Sequence, residues 1–114
     1  IYTGKALLEP LMFEGFMAGG IAAGGQLTTT TVIENFPGFP TGIDGNELMF
    51  QMRQQSLNAG AEIQTKTVDS VDLSSRPFKV QVGKDQYTAE SLIIATGATA
   101  KRMGLPGEEQ FWQK

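Results

Sequence analysis

Apolar and polar positions along the chain change their period several times, and each change predicts a different element. Residues 1–8 carry apolar side chains at helical spacing, and Pro10 ends this predicted helix. Residues 11–14 form a short apolar run that closes on an acid, which is typical of a buried parallel strand. Residues 16–40 show almost no periodicity, yet they contain enough apolar groups to argue against disorder. We therefore expect a helix, then a strand, and then a long ordered loop.

Strong helix signals follow this loop. Residues 44–47 form a capping box in which Asp44 takes the N-cap position, and Ile43 before it can pack on Leu48. Apolar residues from Leu48 onward fall on one broad face. Gly60 stands where a residue in the left-handed region ends a helix. These signals predict a helix that begins after Asp44 and ends before Gly60.

Beyond this helix the period changes to two. Residues 61–65, 67–73, 78–82 and 86–89 each read as a strand, and together they predict an antiparallel meander inserted as a crossover. Residues 92–95 return to a fully apolar run, which predicts a central parallel strand. Helices alternating with strands of this kind indicate an α/β fold.

Composition limits the chemistry that the chain can perform. Its 114 residues are one domain at most, with 40% hydrophobic and 18% charged residues, which is typical of a globular chain. The net charge of −3 argues against nucleic acid or a membrane surface as a partner. The chain has no His and no Cys, so it contains no soft-metal site, catalytic triad or redox thiol. We therefore expect no catalytic residue and no metal ligand within it.

The most informative residues lie between positions 24 and 35. Gly24 and Gly25 allow the backbone to approach a bulky planar ligand, where a Cβ atom would collide. Gln26, four threonines at 28–31 and Asn35 follow, and their side chains exchange hydrogen bonds without changing charge. These groups suit the edge of a heteroaromatic ring rather than proton transfer or nucleophilic attack.

Glu14 is a candidate for a nucleotide contact. A helix, a short strand and a terminal acid make up the second half of a dinucleotide-binding βαβ unit, in which the acid hydrogen-bonds ribose hydroxyls. The first strand and its glycine-rich phosphate turn would precede residue 1. The alternative is a solvated Glu at a strand end, but the glycine-rich loop that follows favours the ribose contact. Gly97, after the strand predicted at 92–95, either borders the ligand or forms an ordinary turn.

Five segments of the chain resemble the FAD half of the low-molecular-weight thioredoxin reductases. The segments are residues 11–17, 21–31, 34–40, 93–98 and 101–108. A glycine pair, Gln, Leu and four Thr followed by Glu-Asn-Phe-Pro-Gly is far more specific than a lone glycine fingerprint. The insertion at 17–23 resembles the fungal or plant branch of the family.

The resemblance implies a three-layer FAD/NAD(P)-binding Rossmann-like α/β domain with the antiparallel meander as its crossover. Residues 1–114 would be a partial FAD-binding domain, incomplete at both ends. The first strand, the glycine-rich turn, the redox Cys pair and the NADPH domain are all absent from this chain.

The resemblance also assigns FAD contacts to single residues. Backbone groups would serve on the adenosine side and at the adenine edge, and neutral amides would serve at the isoalloxazine ring. The residues so assigned are Ile21, Ala22, Gln26, Asn35 and Val68. Glu14 joins them as the ribose acid, while Thr31 and Gly97 would shape the pocket.

In the family, NADPH reduces FAD, the flavin reduces a Cys-x-x-Cys disulfide, and the resulting dithiol reduces thioredoxin. The resemblance therefore implies a cytoplasmic, homodimeric thioredoxin-disulfide reductase to which this chain contributes only the FAD site, so that the chain alone is expected to be inactive. Two alternatives remain open. One is a related flavin-dependent dithiol oxidase of the same fold, and the other is a truncated, non-enzymatic interaction module.

Overall fold

The computed structural model describes residues 1–16, 21–99 and 101–111, in which short helices and three small sheets alternate. Part of the insertion predicted at 17–23 therefore lies outside the described residues. The elements in chain order are α1 Tyr2–Lys5, β1 Leu11–Phe13, a 3-10 helix Gly25–Thr29, β2 Val32–Ile33, β3 Ile43–Asp44, α2 Gly45–Asn58, β4 Glu62–Gln64, β5 Ser70–Asp72, β6 Phe78–Val82, β7 Asp85–Ala89 and α3 Glu108–Phe111.

The strand predicted after Pro10 is present as β1 and pairs with β4 in parallel. Backbone hydrogen bonds extend this pair at both ends, from Glu62 N to Pro10 O at 2.9 Å and from Glu14 N to Gln64 O at 3.2 Å. The parallel pairing is confirmed, but the predicted burial is wrong, because Leu11 is 37% exposed and Met12 is 39% exposed. A parallel strand is buried when other elements cover both of its faces, and in the described part of the chain those faces are only partly covered.

The first helix is shorter than the apolar spacing predicts. It ends at Lys5, because Leu7 adopts a left-handed φ of 59° and Leu8 N donates to Thr3 O at 3.1 Å. This closing bond is that of a Schellman motif. Gly4 lies against the far end of α2, where a Cβ atom would come 2.3 Å from the carbonyl oxygen of Ala59. Close packing against Ala59 therefore explains the glycine in α1.

The long helix is confirmed at both ends. The Asp44 side chain accepts hydrogen bonds from the backbone N–H groups of Asn46 at 2.9 Å and Glu47 at 3.1 Å. Only half of the predicted capping box forms, because the Glu47 carboxylate instead accepts from the side-chain amide of Gln51. Gly60 follows the helix with a φ of 93°, as the left-handed cap requires. At 14 residues, α2 is the longest described helix, and no described helix is long and apolar enough to cross a membrane.

The antiparallel meander is confirmed for β5–β6–β7 only. The strand predicted at 61–65 as part of it is β4, which instead pairs in parallel with β1, and the strand predicted from residue 67 begins at Ser70. The register pairs Ser70 with Gln81, so Val68 falls opposite Gly83 in the turn between β6 and β7. Val68 therefore has no strand partner, and its predicted placement inside a strand is wrong. The meander contacts the parallel pair through Tyr87, whose hydroxyl donates to the Gln64 side chain at 3.1 Å.

The central strand predicted at 92–95 is not formed. This segment has no regular structure, and Ile93 and Ile94 are 76% and 65% exposed. A strand requires a neighbour that pairs with its backbone, and in the described ranges β1 pairs only with β4. The prediction followed local apolarity, whereas strand formation depends on the partner.

The buried core is small and has two parts. Ile33, Leu48 and Ala61 are buried on or beside α2, and Val80 and Val82 are buried in the meander. Many other large apolar side chains are partly or largely exposed. Glu14, the predicted nucleotide contact at the carboxyl end of β1, belongs to neither part of this core.

Candidate functional site

Glu14 follows β1 directly and is held by two side chains from other elements. The Nε atom of Arg53, in α2, donates to both carboxylate oxygens at 3.1 Å. The hydroxyl of Thr65, immediately after β4, donates to Oε1 at 2.5 Å. The Glu14 side chain is only 11% exposed. The interpretation of Glu14 as a freely solvated strand-end acid is therefore wrong, while its contact to ribose stays a prediction.

The loop after Glu14 is fixed to the loop after β4. Gly15 N donates to Lys66 O at 3.2 Å, and Phe16 N donates to the Thr67 hydroxyl at 3.1 Å. The Thr67 hydroxyl in turn donates to Phe16 O at 3.3 Å. These bonds place half-buried Val68, the next residue after Thr67, at the same end of the β1–β4 pair as Glu14.

The two adjacent glycines have different roles. Both have a positive φ, 110° at Gly24 and 72° at Gly25. A Cβ atom on Gly24 would come 2.6 Å from a Thr28 methyl carbon and 3.3 Å from Met49, so the first glycine serves internal packing. A Cβ atom on Gly25 would meet nothing within 4 Å. Only Gly25 therefore leaves the backbone open to an approaching ligand.

Two of the four threonine hydroxyls are already engaged within the 3-10 helix. Thr28 donates to Gly25 O at 2.8 Å, and Thr29 donates to Gln26 O at 2.7 Å. Each hydroxyl has one proton to donate, so these two stabilise the turn rather than offer a donor to a ligand. Thr31 is exposed, and its carbonyl oxygen accepts from Gly45 N at 3.0 Å.

Gln26 contacts the segment that contains Gly97, another residue predicted to border the ligand. Its side-chain amide donates to Ala98 O at 3.3 Å, across 72 positions of sequence. Gly97, beside Ala98, has a φ of 75°, and a Cβ atom there would also meet nothing within 4 Å. Glu14 and Val68, at one end of the β1–β4 pair, form a first cluster of predicted site residues. Gln26 and Gly97 form a second cluster on other segments of the chain.

The remaining predicted residues join neither cluster through a described bond. Ile21 is half-buried, and Ala22 is exposed, with its carbonyl oxygen accepting from Gly25 N at 3.1 Å. Asn35 is exposed, and within the described ranges its side-chain amide makes no hydrogen bond. The amide of Asn35 can therefore bind a ligand without breaking a contact shown here.

The sequence interpretation missed Arg53, Thr65 and Gly45. Arg53 lies in a stripe of α2 with buried Leu48 and half-buried Met49 and Met52. A cation within such a stripe signals a partner acid, because long charged side chains are rarely buried unpaired. Gly45 at the start of α2 lies against the 3-10 helix, where a Cβ atom would come 2.1 Å from Leu27 O. No local sequence signal reveals this contact.

Two surface depressions lie on other parts of the described chain, one on the meander beside Val71 and Lys79 and one between Met103 and Phe111. Neither is lined by a predicted site residue. Within the described ranges, no group of three His, Cys, Asp or Glu side chains could hold a metal ion.

Comparisons with known proteins give a consistent result. The family described as pyridine nucleotide-disulphide oxidoreductase matches residues 1–114. The chain is 64% identical to a thioredoxin reductase of Dictyostelium discoideum and 58% identical to thioredoxin reductase 1 of Saccharomyces cerevisiae, over its full length in both cases. It spans only 37% of the length of each of these relatives.

Solved structures agree with the sequence relatives. The thioredoxin reductase from Giardia duodenalis matches 99% of this chain and 35% of its own, with a TM-score of 0.80 and 42% identity. The enzyme from Lactococcus lactis matches 96% of this chain and 34% of its own, with a TM-score of 0.74 and 30% identity. The short sheets described above therefore match part of a larger known architecture.

Proposed function

Because the chain belongs to the pyridine nucleotide-disulphide oxidoreductase family, we propose that residues 1–114 form part of the FAD-binding domain of a thioredoxin reductase. Two relatives with this name are 64% and 58% identical to the chain. Because the chain spans 37% of their length, we propose that the first strand, the glycine-rich phosphate turn, the redox Cys pair and the NADPH domain belong to other parts of a longer polypeptide.

One observation carries the proposed cofactor site: a nearly buried carboxylate stands at the carboxyl ends of a parallel strand pair. Glu14 follows β1 and is only 11% exposed, and Thr65 follows β4 beside it. Parallel α/β sheets bind nucleotides at this end, where an acid accepts hydrogen bonds from ribose hydroxyls. Gly25 adds an open backbone approach, since no atom lies within 4 Å of a Cβ position there. The described residues therefore fit FAD.

Bound FAD supplies the electron transfer between a nicotinamide and a disulfide, and the residues of this chain bind and orient it. Glu14 holds the adenosine ribose, and the backbone of Val68 contacts the adenine edge. Gln26 and Asn35 present neutral amides to the isoalloxazine ring, where they adjust its electronics without adding charge. Ile21 and Ala22 line the adenosine side of the glycine loop.

The physiological reaction is proposed from the relatives. Electrons pass from NADPH through FAD and a Cys-x-x-Cys disulfide to thioredoxin, in a cytoplasmic homodimer. Because relatives from Kluyveromyces lactis and Saccharomyces cerevisiae are named mitochondrial, cell fractionation is the measurement that checks the cytoplasmic assignment. Neither the dithiol oxidase nor the interaction module is favoured by the comparisons, because the named relatives are thioredoxin reductases.

The test compares two acid-to-alanine variants in the full-length protein. Glu14→Ala should weaken FAD binding by about one to two powers of ten, because a hydrogen bond to a charged group contributes about 1.5–3 kcal/mol. The control Glu90→Ala removes an exposed acid after β7 and should leave FAD affinity unchanged. FAD affinity is measured by quenching of flavin fluorescence. A protein purified without flavin that also fails to bind added FAD would refute the proposal.

A further inference from the structure

Arg53 and Thr65 converge on Glu14 from two separate elements. Arg53 reaches it from α2 with one N–H shared between both carboxylate oxygens at 3.1 Å. Thr65 reaches Oε1 at 2.5 Å from the end of β4. Helix and sheet thus both constrain the same carboxylate.

These contacts leave unequal acceptor capacity on the two oxygens. A carboxylate has about four lone-pair sites. Oε1 accepts from both Thr65 and Arg53, whereas Oε2 accepts only its share of the Arg53 N–H. The carboxylate is therefore held in one plane with Oε2 the more available oxygen.

This pair differs from the other acid–base pairs that the described chain contains. Lys66–Asp85 and Lys79–Asp72 are separated by 3.5 and 3.9 Å, and both partners in each are about half exposed. Arg102 pairs with Glu109, whose side chain is 81% exposed. Glu14 is 11% exposed and Arg53 is 40% exposed. Exposed pairs fix little geometry, because water and salt compete for both partners. The Glu14–Arg53 pair is the one suited to holding a functional group in place.

We propose that Arg53 and Thr65 are positioning residues that orient the Glu14 carboxylate toward the ribose hydroxyls of the adenosine half of the cofactor. They act through Glu14 and need not touch the cofactor themselves. The inference rests on the proposed function, because it requires that a dinucleotide with an adenosine ribose binds at this end of β1 and β4. A pre-oriented carboxylate loses less conformational entropy on binding than a free one.

The experiment uses the full-length apoprotein and two ligands: FAD, and an FAD analogue lacking the 2′- and 3′-hydroxyls of the adenosine ribose. Arg53→Met should weaken FAD binding about three- to tenfold, which is the range expected for losing one pre-oriented side chain. Binding of the analogue should not change, because the analogue offers Glu14 no hydroxyl. Arg53→Lys keeps the charge but loses the planar guanidinium, so it should restore only part of the affinity.

Two further variants keep the test decisive. Thr65→Val removes one hydroxyl with little change of shape and should weaken FAD binding about twofold, again without affecting the analogue. Thr65→Val also tests the inference by itself if the Arg53→Met variant does not fold. Arg76→Met is the matched control: its guanidinium lies 5.4 Å from the centre of the Phe78 ring, away from Glu14, and its loss should affect neither ligand.

The outcomes separate this inference from the proposed function. Equal weakening of FAD and the analogue by Arg53→Met would show a merely structural role and overturn the inference, as would unchanged FAD affinity. A wild-type protein that binds both ligands equally would also overturn it, while leaving the FAD-binding function intact. A wild-type protein that binds neither ligand would overturn both.

Discussion

Gly45 joins the long helix to the segment that carries Gln26, and its replacement by Ala should perturb both stability and cofactor binding. A Cβ atom at this position would come 2.1 Å from Leu27 O and 2.6 Å from Thr30 O. Both oxygens belong to the backbone, so no side-chain rotation can relieve the contact. The 3-10 helix must move away from the start of α2.

The expected change in the free energy of unfolding of Gly45→Ala combines three effects. Overpacking of this kind costs about 1–3 kcal/mol. Displacement also weakens the hydrogen bond from Gly45 N to Thr31 O at 3.0 Å, a loss of about 1 kcal/mol. Ala favours a helix interior over Gly by about 1 kcal/mol, and at Gly45, the first residue of α2, this preference offsets only part of the lost hydrogen bond. The net destabilisation of Gly45→Ala should therefore be about 1–3 kcal/mol.

Movement of the 3-10 helix should also disturb the cluster of Gln26 and Gly97. Gln26 lies in this helix, and its amide is already 3.3 Å from Ala98 O, so a small shift breaks the bond. Loss of the amide alignment should weaken FAD binding about two- to tenfold, since one neutral hydrogen bond contributes about 0.5–1.5 kcal/mol. The measurements are urea unfolding of the full-length apoprotein by circular dichroism and titration with FAD.

Gly60→Ala provides the control at the other end of α2. Gly60 has a φ of 93° and no atom within 4 Å of its Cβ position, so Ala there costs about 1–2 kcal/mol through backbone conformation alone. Its FAD affinity should match that of the wild type. If Gly45→Ala were as stable as the wild type, or if both variants lowered FAD affinity equally, the packing argument would be refuted.

Two further predictions concern the meander and the last loop. Tyr87→Phe removes the hydrogen bond to Gln64 and should lower the free energy of unfolding by about 1 kcal/mol in urea denaturation, and an unchanged value would show that the bond is replaced by water. Hydrogen bonds from the backbone N–H groups of Met103 and then Gly104 hold the pKa of Glu108 below its ordinary value of 4.5. Their stabilising contribution is therefore present above pH 4.5 and is lost as the pH falls through the lowered pKa. The protection factors for amide hydrogen exchange at Met103 and Gly104 should fall over this acidic range, and persistence of that fall in Glu108→Gln would contradict the assignment.

Local signals in the sequence determined α2 and the meander. Asp44 and Gly60 mark the two ends of α2, since a cap and a left-handed glycine act within one turn of the chain. Alternation of apolar and polar residues predicted β6 at its observed bounds, 78–82. Gly25 and Gln26 indicated the candidate ligand loop, because the conformational freedom of a glycine and the hydrogen bonding of an amide are properties of single residues.

Contacts between distant segments were decided only by the tertiary structure. The apolar run at 92–95 forms no strand, because pairing depends on a neighbour and not on the run itself. Val68 lies outside β5 because the register places it opposite the turn at Gly83. Arg53 and Glu14 are 39 positions apart, so neither residue alone reveals the ion pair between them. Propensity and capping act over a few residues, whereas strand partners, buried charge pairs and close glycine contacts exist only after the chain has folded.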